Sequence, residues 1–128
     1  MKANKRYPLG HNEPVHESAV KHVQGTSVYI DDMPESNGEL QAWLVTSPLA
    51  HGKIRSVDVS EALRSEGVRC IITAKDIPGA NQMGPVIHDE PCLADKTVQC
   101  IGQTIALIAA DSFQQAYEAA KRVKLDIL

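Results

Sequence analysis

The chain has 128 residues, with 13 Lys and Arg against 16 Asp and Glu, for a net charge of −3. That length fits one domain with a single core, and a hydrophobic fraction of 43% beside 23% charged residues excludes disordered, collagen-like and coiled-coil classes. No basic run supports a grip on nucleic acid, no apolar stretch nears the ~18 to 20 residues that span a membrane, and residues 1–10 are too polar for a signal peptide, so the chain reads as cytoplasmic. Cys70, Cys92 and Cys100 are odd in number and form no C-x-x-C pair, which predicts free, buried thiols rather than a disulfide framework or a zinc knuckle.

Residues 1–20 mix Pro, His, Asn and charge without helix or strand periodicity and read as an N-terminal arm; residues 21–128 form the domain. Val28-Tyr29-Ile30 is a short β-prone run that stops at Asp31-Asp32-Met33-Pro34, and Asn37-Gly38 is a turn signal. From Leu40 to Thr46 both faces are apolar, as in a strand covered twice. A strand over residues 54–59, a short helix over 61–66 capped by Ser60 and stopped by Gly67, and a strand over 68–73 make a first strand-helix-strand unit. Residues 74–91, with Pro78, Gly79, Gly84, Pro85 and Pro91, read as a long ordered loop with a job or a partner. The second unit is clearer. Residues 103–110 are apolar enough for a buried central strand, and Ser112 with Gln115 forms a capping box. Phe113, Ala116, Tyr117 and Ala120 share one face of a helix ending near Arg122, and Val123, Leu125 and Ile127 alternate through a last, half-exposed strand. The expected class is α+β, with a mixed sheet and two strand-helix-strand units.

The residues themselves show no catalytic constellation. His16-Glu17 is followed by Val20 where a zinc-protease helix needs its second histidine, and there is no G-x-S-x-G, Walker A or G-x-G-x-x-G run. The carboxylate pairs Asp31-Asp32 and Asp89-Glu90 read as turn caps, because neighbours in extended chain point to opposite faces. Cys92 lacks the basic neighbour that would activate a thiol. No catalytic, cofactor-binding or metal-ligating residue is assigned.

Three runs nevertheless carry a resemblance: Gly25-Thr26-Ser27-Val28-Tyr29-Ile30-Asp31-Asp32-Met33-Pro34, then Ser47-Pro48-Leu49-Ala50-His51-Gly52-Lys53-Ile54, then Asp76-Ile77-Pro78-Gly79-Ala80-Asn81. With Gly102-Gln103 and the helix after Ser112, their order and spacing resemble the N-terminal α/β hammerhead domain of the molybdenum-binding subunit of xanthine dehydrogenase and aldehyde oxidase. The segment from Gly84 to Pro91 is similar to the xanthine dehydrogenase branch. The resemblance implies a piece, inert alone, of an enzyme that hydroxylates a purine or other N-heterocycle with oxygen from water. Electrons would pass from a molybdopterin cofactor to 2Fe-2S clusters and FAD in other domains or subunits. Its partners are then the remainder of the subunit and those iron-sulfur and FAD parts. The family's catalytic and molybdopterin-contacting segments have no counterpart here. By resemblance Val86 and Ile87 match an apolar pair lining the substrate funnel; from the residues alone, the same two side chains could instead pin the long loop to the core. A second functional reading is a stand-alone protein-interaction module that reuses the fold.

Overall fold

The computed structural model describes residues 16–128, which fall into two compact units divided between Glu35 and Ser36. The predicted arm lies outside the described residues as far as position 15.

In the first unit, helix α1 (Ala19–Gln24) begins inside the predicted arm and ends at Gly25, whose left-handed φ of 68° lets its N–H reach back to the His22 and Lys21 carbonyls. The β-prone run does not become a strand. Ile30–Asp32 form a 3-10 turn, because the Asp32 carboxylate accepts the Tyr29 N–H (3.1 Å) and bends the chain before an extended pairing can form. The Tyr29 hydroxyl sits 3.3 Å from His22 Nδ1, joining the turn to α1.

The second unit holds β1 (Gln41–Thr46), β2 (Gly52–Asp58), α2 (Ser60–Leu63), β3 (Val68–Thr73), β4 (Thr97–Val98), β5 (Thr104–Ala110), α3 (Phe113–Ala120) and β6 (Lys124–Ile127). The α+β class holds, but the strands form two three-stranded antiparallel sheets, β1-β5-β3 and β4-β2-β6, rather than one mixed sheet. Both strand-helix-strand units cross from one sheet to the other: β2-α2-β3 leaves the second for the first, and β5-α3-β6 returns. A parallel pair needs a crossover that comes back to the same sheet, and neither unit makes one.

Strand β5 is central, and its apolar run is buried nearly throughout. Ala106, Ile108 and Ala110 pack with Val45, Ala62, Ala116 and Ala119 in the main core, between the first sheet and α3. Trp43 meets the rings of Phe113 and Tyr117 edge-on, with centroids 4.9 and 4.8 Å away. A second core of Ala94, Val98 and Ile105 lies against Ile54, Val57 and Ile127 of the other sheet, and Leu125 touches both cores.

Strand β1 is covered on one face only. Trp43 and Val45 turn inward, while Ala42 and Leu44 stay exposed, Leu44 by 48%. Register places Ala42, Ala109 and Cys70 in one row across the sheet and Leu44, Leu107 and Ile72 in the next, an outer face on which the side chains of β1 and β3 are exposed while Ala109 is buried and Leu107 half-buried between them. The expected capping of α2 also differs. The Ser60 N–H bonds to Asp58 Oδ1 (3.0 Å), the helix stops after one turn at Leu63, and Gly67, with φ 76°, serves the following turn rather than the helix end.

Candidate functional site

Thr73 and Asp76 start the long loop. Asp76 Oδ2 accepts both the Thr73 N–H (2.8 Å) and the Thr73 hydroxyl (2.7 Å), which fixes the 3-10 turn Ala74–Asp76 and holds the Asp76 carboxyl below its ordinary value. Asn81 then reaches twelve residues ahead. Its Nδ2 donates to the Leu93 carbonyl (2.7 Å) and its Oδ1 accepts the Leu93 N–H (3.0 Å), a bidentate side-chain clamp on the far strand of the loop. The Met83 N–H donates to the Glu90 carbonyl (2.7 Å), closing the loop again two residues nearer its tip. Leu93 and Ala94 are buried, and the Ala94 N–H bonds to the Thr104 carbonyl (2.8 Å), so the stem is tied to the start of β5.

The turn at Gly84 is tight. Its N–H donates to Gln82 Oε1, and a Cβ added there would run into the Ile87 carbonyl, so only glycine fits without moving the tip. Gln82 Nε2 is buried and has no hydrogen-bond partner among the described residues. Beyond this stem Val86 is 86% exposed and Ile87 70% exposed. Neither pins the loop to the core; the stem bonds and Leu93 do that, and the apolar pair stands free at the tip.

Beside the stem lies a cleft of 460 Å³, walled by Met83 and residues 89–92 on one side and by the turn at residues 99–104 on the other. That turn is held by the second family run: the Ser47 N–H donates to the Gln103 carbonyl (2.9 Å) and the Gly102 N–H to the Ser47 carbonyl (2.9 Å). Buried Ser47 also uses its hydroxyl locally, donating to the Leu49 carbonyl (2.9 Å) and accepting the Leu49 N–H (3.1 Å). The Ser47-Pro48 and Gly102-Gln103 runs, far apart in sequence, are thus one hydrogen-bonded corner.

The thiols are not buried as expected: Cys70 and Cys100 are exposed and Cys92 is half-buried, with Cys92 and Cys100 both on the cleft. Among the described residues no three His, Cys, Asp or Glu side chains converge as a metal site, so this donor set does not fit a molybdenum or iron centre. None of the described helices is long and apolar enough to cross a membrane.

The aldehyde oxidase and xanthine dehydrogenase a/b hammerhead domain model matches residues 24–127, which include all three runs and the clamped loop. The chain belongs to this family. The hammerhead is 48% identical over 119 residues to aldehyde oxidase 4 of Mus musculus, covering 92% of this chain and 8% of that protein. It is 44% identical over 112 residues to the xanthine dehydrogenase of Oryza sativa subsp. japonica, covering 88% of this chain and 8% of that enzyme. Among solved structures, the aldehyde oxidoreductase from Desulfovibrio gigas superimposes with a TM-score of 0.73 at 37% identity, over 87% of this chain and 14% of that one. A Cu,Mo-CO dehydrogenase does so at 0.75 and 31% identity, over 84% of this chain and 14% of that one. The hammerhead thus spans under a tenth of the curated relatives' length, and its family's named members are oxidoreductases of more than one substrate class.

The sequence pointed to Val86 and Ile87 only by resemblance and gave no role in the site to Asn81, Gln82 or Gly84. Their partners give little local signal: Leu93 is twelve residues from Asn81, and the glycine's need appears only once the tip is folded over it.

Proposed function

We propose that this chain is a structural and substrate-funnel domain of a molybdopterin-dependent hydroxylase of the xanthine dehydrogenase type, working in the cytoplasm. In this reading the complete enzyme replaces a C–H bond of a purine or related N-heterocycle with C–OH. Water supplies the oxygen, and the electron pair passes from molybdenum through 2Fe-2S clusters to FAD held in other domains or subunits. The hammerhead supplies no step of that chemistry; it contributes wall and shape.

The observation that carries the reading is the loop tip. Two adjacent apolar side chains, Val86 and Ile87, are held out on a stem with its own hydrogen bonds and stay largely exposed among the described residues. A flat heterocycle is a fitting neighbour for such a pair, since mostly apolar walls line small-molecule sites. The uncovered outer face bearing Leu44 and Ile72 supports a place within a larger polypeptide, because an apolar patch of that kind usually meets a partner. The 48% identity to an aldehyde oxidase favours a second reading, in which the same tip faces an aldehyde.

Turnover by the complete polypeptide and its electron-accepting partners distinguishes these. Hydroxylation of xanthine with a higher kcat/KM than an aromatic aldehyde is the expected result. Preference for the aldehyde would overturn the purine reading, and a protein that turns over neither while binding another protein through this domain would favour the interaction-module reading.

A further inference from the structure

We propose that Asn81 is the positioning residue of the hammerhead loop: its two-point clamp on Leu93 holds the segment from Gln82 to Cys92 in a single conformation, so that Val86 and Ile87 meet a ligand already in place. The proposal rests on the funnel reading above for its functional half and on hydrogen-bond geometry alone for its structural half.

The loop has little else to order it. Its tip buries almost nothing, with Val86 and Ile87 both far out in solvent, so apolar contact does not select one tip conformation. What remains is a ladder of polar contacts up the stem: Asn81 to the Leu93 backbone at both Nδ2 and Oδ1, then Met83 N–H to the Glu90 carbonyl, then Gly84 N–H to Gln82 Oε1. Asn81 lies at the bottom, where Leu93 is buried and the next residue of the far strand, Ala94, enters the second core. The Met83–Glu90 rung above it depends on the two strands being held together there, as a loop's closure depends on its ends, while the Gly84–Gln82 bond is local to the near strand. The amide suits this place because it supplies one donor and one acceptor in a plane, matching the C=O and N–H of a single peptide residue. An aspartate keeps only the acceptor, and an alanine keeps neither.

The functional link follows from preorganisation. A ligand that meets a loop already in its bound shape does not have to order it, so the contact contributes fully to binding. Releasing the clamp should therefore act on kcat/KM only through Val86 and Ile87.

The test uses the complete polypeptide with two readouts, amide exchange by mass spectrometry and steady-state kinetics with xanthine. For Asn81→Ala, peptides spanning residues 82–93 should exchange roughly tenfold faster while those spanning 104–110 remain unchanged, and Asn81→Asp, which sets a carboxylate oxygen against the Leu93 carbonyl, should exchange at least as fast over 82–93. Unchanged exchange over 82–93 would overturn the clamp, and so would equal acceleration of both segments, which would make Asn81 a general anchor of the fold. In kinetics, Asn81→Ala should lower kcat/KM about threefold to tenfold in the wild-type background and have almost no further effect beside Ile87→Ala. Fully additive losses would overturn action through the tip. If Ile87→Ala alone changes nothing, the funnel reading fails, and the exchange result still decides the clamp.

Discussion

Asp76 shows how much of this domain is held by single polar side chains at the surface. Its carboxylate takes two hydrogen bonds from Thr73, both favouring the charged form, so its folded-state pKa lies below the ordinary 3.8. For a lowered carboxylate, the stabilising contribution is fully present above the unfolded value and is lost as pH falls through the folded one. Asp58, held by Ser60, is lowered in the same direction and should add to the effect. Comparing thermal melts of the chain and of Asp76→Ala should show a Tm gap that is constant near pH 6 and closes below about pH 3.8; a gap that grows on acidification would contradict the assignment. The paired charges Arg69–Asp111, at 2.6 Å, lie in solvent on both sides, and ion pairs of that kind contribute little.

At the scale of elements, α3 was legible because its signals are local. Ser112 caps the Gln115 N–H (3.3 Å), and the i, i+3, i+4 pattern put Ala116 on the buried face. The sheets were less legible because bulges break the two-residue period. A register slip between Ile54 and Ser56 brings both Ile54 and Val57 against the second core, and another between Val68 and Cys70 brings both Val68 and Ile71 against the main one. A third, between Val45 and Thr46 opposite Ile105, accompanies burial of both Ile105 and Ala106. Alternation read without those slips yields one continuous sheet, whereas β1 reads as covered twice because both of its faces are apolar. The central strand survives this ambiguity, since a run buried on both sides has no period to lose. Ile108, fully buried opposite both Trp43 and Ile71, should then cost about 2 to 5 kcal/mol on truncation to alanine. A chemical-denaturation curve of Ile108→Ala with a midpoint unchanged from the parent chain would contradict its place in the core.

At the scale of the molecule, the outer face of the first sheet and the loop tip are apolar surfaces left exposed among the described residues. The first is made of small and aliphatic side chains in register across three strands. The second is narrow and projects on a hydrogen-bonded stem. They suit different neighbours, a packed domain in one case and a small ligand in the other. The tip's position was legible only through its likeness to a family, since nothing in Pro85-Val86-Ile87-His88 distinguishes an exposed pair from a buried one. Both side chains are exposed among the described residues, and the ligand-facing role is the proposal that matters most. Its most direct measurement is Ile87→Ala in the complete enzyme, read as kcat/KM for xanthine and for an aldehyde beside the melting temperature of the chain carrying the same change. An unchanged Tm is expected, with a loss of roughly 1 to 3 kcal/mol of transition-state binding for the flat heterocycle and a different loss for the aldehyde. A melting temperature lower by many degrees, with both substrates losing rate in equal proportion, would contradict it.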